Sequence, residues 1–484
     1  MKLTQKLILS AAVTTMLACN SGSTTAPTNF QPALDNRDDD SRPNIIVILT
    51  DDQGYADVGT HGVTSDIVTP NIDQLAADGV TMSAGYVTSP QCVPSRAALL
   101  TGKYQQRFGV DESKHAPLPM SEQTIGDHMQ TAGYRTGMVG KWHLEVLKAS
   151  ENFDVETMPL SEQRLYFPDN RGFDDVHSGY INRWWSNVDA NAAPESARHK
   201  TITDYRLHTT TNTANAFINQ HKDTPFFLYV SYFAPHVPLE APQEYLDKFS
   251  HISQERRRYG LAMMAAMDDG IGSIRDTLNE HSIDDNTLIF FLSDNGAPLG
   301  GQNRDRPLSD IGANWDGSLN TPLNGEKGML TEGGIRVPFI ATWPGVLPAG
   351  STYDKPVSSL DITATSLAVS KQPTHSELDG ENLIPQLTGD ADTLSDRTLF
   401  WRFQSQSAVR QGNWKYLKAD QQREYLFDIS TDISESQNLI HQNPEIASDL
   451  KDQLQNWIAE LPPEPAPPDT LPSVVERWYD FYLN

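Results

Sequence analysis

The chain has 484 residues, 38% of them hydrophobic, enough for one large folded domain plus a smaller one. Its formal net charge of −26 argues against nucleic acid as a partner and against binding to anionic lipid surfaces. Such acidity suits salty water, where the Debye length shrinks to about 4 Å and surface charge hardly repels an anionic substrate.

Residues 1–19 read as an export signal. Lys2 and Lys6 form a positive start, and Leu7 to Leu17 an apolar stretch too short to span a bilayer. Met16-Leu17-Ala18-Cys19 resembles a bacterial lipobox, which would place a lipid on Cys19; plain secretory cleavage is the alternative. Residues 20–41, polar and carrying Asp38-Asp39-Asp40, are expected to be a flexible tether. No later segment is long and apolar enough to be transmembrane.

Asn44 to Thr50 is a continuous apolar run, the pattern of a strand buried on both faces, and Asp51 and Asp52 follow it. A helix opens at Thr69 with Pro70 in its first position, places Ile72, Leu75 and Ala76 on one face, and stops at Gly79. Another is expected from Cys92 through Arg96, Ala97, Leu99 and Leu100 to Gly102. Pro225 to Phe233 is a second buried strand. Leu261, Met264, Met267, Ile271, Ile274 and Leu278 mark a long amphipathic helix, and Thr287 to Ser293 a third strand ending in Asp294-Asn295-Gly296. Strands alternating with helices predict an α/β domain over 42–390, a large mainly parallel sheet flanked by helices. From 391 to 484 the character changes. Thr398 to Phe403, Ser407 to Arg410, Trp414 to Leu417 and Tyr425 to Asp428 are short strand-like segments, followed by a helical stretch near Ile446 to Leu461 and a Pro-rich tail. A small antiparallel α+β subdomain is expected there.

Asp51, Asp52, Asp294 and Asn295 stand just past the ends of two predicted strands, where open α/β sheets gather their sites. Three carboxylates packed together repel without a cation, and all-oxygen ligands select calcium or magnesium. Taken alone, such an acidic pair is more often a turn or a helix cap. Past the signal Cys92 is the only cysteine, so it has no disulfide partner. It is buried filler, an exposed liability or a residue kept for chemistry. Arg96 lies one helical turn on, able to reach back to position 92 or to make a surface ion pair.

Cys92-Val93-Pro94-Ser95-Arg96 resembles the Cys-x-Pro-Ser-Arg modification sequon of type I sulfatases, in the alkaline phosphatase superfamily. Gly140-Lys141-Trp142-His143-Leu144 matches that family's second signature, and the run from AVRQGNWKYLK to YLFDISTD resembles its end pattern. The likeness, which includes bacterial polysaccharide sulfatases, extends over nearly everything from Arg42 onward. It implies an alkaline-phosphatase-like fold and a Cys92 oxidised to formylglycine by a maturation enzyme before folding, with the aldehyde hydrate as nucleophile. It implies calcium, with magnesium the lesser alternative, on Asp51, Asp52, Asp294 and Asn295. Lys141 and Lys327 become sulfate ligands. His236 becomes the general acid and His143 the base for the later elimination, two roles that can be exchanged. Asn324 departs from the family, many members having Arg there.

The stretch from Gly300 to Asn324 is long for a connection and is expected to be a functional loop. Its Arg304, Arg306 and Trp315, together with Arg183, Trp184 and Trp185, are candidates to meet an anionic sugar, with a purely structural role as the alternative. The expected function is hydrolysis of sulfate esters on an algal polysaccharide, carrageenan-like galactan first and glycosaminoglycan second, in the periplasm or outer membrane of a Gram-negative bacterium. A phosphate or phosphonate ester hydrolase and an unmodified carbohydrate-binding lipoprotein are the rivals.

Overall fold

The apolar run at Asn44 is the strand Asn44–Asp51 in the computed structural model, which describes residues 42–299, 315–373, 376–389, 397–463 and 473–483. The signal and tether expected over 1–41 lie outside those residues, as do Arg304 and Arg306. Successive strand side chains point to opposite faces, and here both faces are covered. Ile45, Val47 and Leu49 enter one apolar cluster, Ile46 and Ile48 a second. Phe227 and Phe290 join the first while Leu228 and Phe291 join the second, so Phe226–Pro235 and Thr287–Ser293 divide in the same way. Strands buried on both sides read as unbroken apolar runs for this reason. Each fully buried Val, Leu, Ile or Phe contributes about 1.5–3 kcal/mol of transfer free energy.

Among the described residues the main sheet has ten strands. Edge to edge they are Ser351–Tyr353, Val80–Met82, Phe339–Thr342, Thr287–Ser293, Asn44–Asp51, Phe226–Pro235, Arg135–Gly140, Asp175–Tyr180, Arg183–Val188 and Pro194–Thr201. The five from Thr287–Ser293 to Asp175–Tyr180 run parallel. Cys92–Thr101 and Ile125–Thr131 pack in the first cluster; Pro70–Asp78, Arg206–His221 and Glu255–Glu280 pack in the second. The mainly parallel sheet flanked by helices is thus present.

Thr398–Phe403, Gln406–Gln411, Trp414–Lys418 and Glu424–Asp428 form a separate antiparallel sheet in chain order. Pro444–Glu460 covers it, setting Leu450, Leu454 and Trp457 against Val409, Tyr416 and Leu426. The tail departs from expectation: Ser473–Tyr482 is a helix, and the hydroxyl of its buried Tyr479 donates to Gln406 Oε1 at 2.5 Å.

A buried ionic network joins the small sheet to the short helix Glu332–Ile335 and to Tyr86. Lys415 Nζ lies 2.9 Å from Glu332 Oε1 and 2.8 Å from Glu435 Oε1, with all three side chains 0% exposed. The Tyr86 hydroxyl donates to Glu332 Oε2 at 2.5 Å, and Arg336 pairs with the same oxygen at 3.2 Å. Removing one member of a buried network strands the others without solvent. Lys415→Met is therefore expected to lose about 3–5 kcal/mol in urea unfolding followed by circular dichroism. A loss below about 1 kcal/mol would show that the lysine is dispensable to the junction.

Candidate active site

Four neighbouring parallel strands end at one spot, at the carboxyl edge where open α/β sheets carry their chemistry. Asp51 is the last residue of Asn44–Asp51, and Asp52 follows it. Asp294 and Asn295 follow Thr287–Ser293, His236 follows Phe226–Pro235, and Lys141 follows Arg135–Gly140. Gly140 is required for the last of these. Its φ is +98°, and a Cβ there would lie 1.9 Å from the Ser231 carbonyl oxygen. That close approach lets Lys141 N donate to Ser231 O at 2.9 Å and aims the lysine at the carboxylates.

Cys92 begins the helix Cys92–Thr101, all of whose residues are buried. Its Sγ is 3.7 Å from Asp51 Oδ1 and 3.8 Å from Asp52 Oδ1. Lys327 Nζ donates to the sulfur at 3.2 Å and to Asp52 Oδ1 and Oδ2 at 2.6 and 2.7 Å. Lys141 Nζ donates to Asp51 Oδ2 at 2.7 Å. The bonds of Arg96 go elsewhere than the reach back to position 92 suggested. Its Nε donates to Asp294 Oδ2 at 2.8 Å, and its Nη1 to Ser231 Oγ at 2.6 Å and Lys141 O at 3.0 Å. Arg96 thus fixes the acidic cluster and the lysine strand end together.

Charge is finely balanced here. Burial raises the Asp51 carboxyl, but Lys141, His236 and Arg96 outweigh it and hold the group well below the usual carboxylate range. Asp52 is also lowered, burial being offset by Lys327 and His236. Asp294 moves up, because burial with Asp51 and Asp52 nearby exceeds the pull of Arg96. Burial and Asp294 push the Cys92 thiol up as well, so it is not a ready thiolate nucleophile.

The donor set fits a hard divalent cation. Ligand atoms of Asp51, Asp52, Asp294 and Cys92 all lie within 4.8 Å of one another. Asn295 Oδ1 is buried beside them without a hydrogen-bond partner, while its Nδ2 donates to Asp52 Oδ1 at 2.5 Å. An orphaned buried carbonyl oxygen next to a cluster of carboxylates is what an oxygen-liganded ion satisfies. Asp51, Asp52, Asp294 and Asn295 would hold it.

His236 Nε2 is 3.7 Å from Asp52 Oδ2, and its Nδ1 is 2.6 Å from the Val237 carbonyl oxygen. A carbonyl only accepts, so Nδ1 carries a hydrogen and Nε2 is the nitrogen that exchanges protons with the site. Burial pushes this histidine down to about 4, against the pull of Asp51. His143, held at φ 64°, is pushed well below its ordinary range by burial and Lys141.

The Sulfatase family matches residues 43–371, and N-sulphoglucosamine sulphohydrolase, C-terminal, matches 325–460. The chain belongs to the sulfatase family. This sulfatase is a sulfuric ester hydrolase with named relatives among curated proteins. N-acetylgalactosamine-6-sulfatase of Homo sapiens is 33% identical over 391 residues, 74% of this chain and 68% of that one. Arylsulfatase of Hemicentrotus pulcherrimus is 31% identical over 402 residues, 77% and 67% of the two chains. The crystal structure of Ps i-CgsB in complex with k-i-k-neocarrahexaose is similar with a TM-score of 0.74 at 30% identity, covering 91% of the sulfatase and 97% of that chain.

Beside the carboxylates the sulfatase has a cleft of about 600 Å³, whose lining includes Lys141, His143, His236, Tyr180, Arg183 and Trp185. Two of the aromatic residues expected to meet sugar do not fit that role. Trp184 is 0% exposed, stacked on His177 with ring centroids 4.8 Å apart. Trp315 is buried with Ala297 and Leu299, its Nε1 donating to Ser318 O at 2.7 Å. Adjacent strand residues face opposite sides, so Trp185 reaches the cleft while Trp184 fills the core. Asn324 ties the Lys327 loop to the last helix, its Nδ2 donating to Tyr482 O at 2.6 Å.

Sequence reasoning missed the residues that hold His236 in place. The Tyr180 hydroxyl donates to Val237 O at 2.8 Å, and Arg206 Nη2 donates to His236 O at 3.1 Å and Pro238 O at 2.7 Å. It also missed Ser231, which receives Arg96. A lone serine in the apolar run PFFLYVSYF was the available signal.

Proposed function

We propose that this sulfatase removes sulfate from a sulfated carbohydrate, a carrageenan-like galactan, with a formylglycine made from Cys92 and one calcium ion. The observation that carries the reading is the setting of residue 92. It begins a buried helix, within 3.2 Å of Lys327 Nζ and 3.8 Å of two carboxylates at the strand ends. The likeness to Ps i-CgsB in complex with k-i-k-neocarrahexaose supports the galactan, and the likeness to N-acetylgalactosamine-6-sulfatase keeps a glycosaminoglycan as the second reading.

The calcium ion supplies fixed positive charge for sulfate oxygens, and formylglycine, as its hydrate, supplies an oxygen nucleophile and a second hydroxyl for sulfate release. The chain does the rest. Lys141 and Lys327 turn from Asp51 and Asp52 to sulfate oxygens and stabilise charge as the ester bond breaks. Arg96 keeps Asp294 in register with position 92. His236, bare at Nε2 when neutral, takes up a proton there and passes it to the departing sugar oxygen, its ring aimed by Val237, Tyr180 and Arg206. His143, whose Nδ1 is buried without a partner, takes the proton that regenerates the resting state. In this reading the protein is exported from a Gram-negative cell by residues 1–19, held in the periplasm or outer membrane through lipid on Cys19, and matured by a formylglycine-generating enzyme.

The test is incubation of the mature enzyme with sulfated galactan oligosaccharides, glycosaminoglycan fragments, an aryl sulfate and a matched phosphate ester, with released anion as readout. Galactan oligosaccharides are expected to turn over fastest. Preference for the phosphate ester would overturn the reaction, and preference for glycosaminoglycan fragments would overturn the substrate.

A further inference from the structure

The cleft continues past the carboxylates along the hairpin formed by Asp175–Tyr180 and Arg183–Val188. Asp175–Tyr180 is the fifth parallel strand, so its carboxyl end opens on the same edge as the four that carry the site. At about 600 Å³ the space lies in the range that encloses a drug-sized ligand and exceeds what one sulfate group needs. Phe167 and Trp185 make an apolar wall with ring centroids 5.0 Å apart, and His199 closes against Trp185 at 5.1 Å. In the lining of this cleft Glu145 Oε2 is buried and lacks a hydrogen-bond partner. Such atoms are costly unless a polar ligand satisfies them.

Arg183 stands at the mouth of this cleft, exposed to solvent. Other cations near this wall are engaged: Arg164 with Asp169 at 4.0 Å, Arg198 and Lys200 with Glu195 at 2.8 and 3.2 Å. Arg183 has no ion pair among the described residues. In a chain with 63 acidic and 37 basic side chains, an unpaired guanidinium turned to a ligand cleft is positioned for an anion of the ligand.

We infer that Arg183 binds a second sulfate, carried by the sugar next to the one that loses its sulfate, so that the enzyme distinguishes chains by the sulfation of that neighbour. This deepens the proposed function and rests on it for the class of ligand. Arg183 acts on binding, and its contribution is that of one partly exposed ion pair, screened by salt.

The test uses the full chain with Cys92→Ala, so that nothing is turned over, titrated by calorimetry with two galactan oligosaccharides of equal length bearing one sulfate or two. The doubly sulfated one is expected to bind about fivefold tighter at low salt. Adding Arg183→Ala should erase that preference while the affinity for the singly sulfated one stays within about twofold. Arg183→Lys should restore part of it, and high salt should diminish it. A preference that survives Arg183→Ala, or the absence of any preference or binding in the parent, overturns the inference. A mature enzyme that releases no sulfate from an oligosaccharide bound in this way overturns the proposed reaction and leaves the subsite standing.

Discussion

Cys92→Ala and Cys92→Ser are each expected to end repeated turnover, with a fall of about 10⁴ or more in kcat, the scale seen when a nucleophile is removed. Both substitutions suit the site sterically. Residue 92 is the first in its helix and 3% exposed, and replacing its thiol by hydrogen removes one heavy atom while replacing it by hydroxyl removes none. Circular dichroism and the unfolding midpoint should therefore stay close to those of the parent. Serine is the more informative variant. It offers one hydroxyl next to Lys327, but no second one through which bound sulfate could be expelled, so at most one equivalent per enzyme is expected. Released sulfate counted per active site, beside mass spectrometry of the peptide carrying residue 92 from the parent, reads both points. Many turnovers by either variant, or an intact thiol in the active parent, would remove the nucleophile assignment.

Removal of divalent metal is expected to abolish activity and to lower stability, and calcium should restore both. Asp51, Asp52 and Asp294 meet in a buried cluster, and Asp294 is already pushed upward by its two neighbours and by burial. A bound dication relieves that repulsion in the folded state only. At a free concentration one hundredfold above Kd it stabilises by about 2.7 kcal/mol. The unfolding midpoint should therefore rise with calcium and fall after chelation, with elemental analysis reporting the metal content. Asn295→Ala should weaken calcium binding while the fold is retained, because it removes an orphaned oxygen and adds no charge. Full activity in protein stripped of metal would refute the assignment of these four residues.

The sequence revealed most where burial is uniform. Asn44–Asp51, Phe226–Pro235 and Thr287–Ser293 are covered on both faces, so their apolar runs announced strands, and Asp51-Asp52 and Asp294-Asn295 stand past the ends of the first and the third. Pro70 and Gly79 bracketed a helix because each is restricted in where a helix tolerates it. Arg135–Gly140 was not legible, being a short strand with Arg135, Thr136 and two glycines, although it delivers Lys141. Pro194–Thr201 was equally hidden, since an edge strand reading PESARHKT buries little. The choice between Trp184 and Trp185 is a choice of register, and a single-residue slip exchanges the two faces. The partners of Arg96 were not legible, because Asp294 and Ser231 are brought to it by folding across separations of 198 and 135 residues. The helix Ser473–Tyr482 was masked by the prolines before it.

The walls around residue 92 also set an order of events. Lys327 follows Cys92 by 235 residues, Thr363 grips Leu99 O from 264 residues downstream, and Trp401 reaches Val87 O across 314. A growing polypeptide emerges at about 5–20 residues per second, so the sequon spends at least about ten seconds outside the ribosome before those partners exist. On the proposed maturation, that interval is when a modifying enzyme would reach residue 92, before the partners that bury it arrive. Thiol-bearing protein that has already closed should therefore stay inactive when the modifying enzyme is added, and recover only if it is unfolded first.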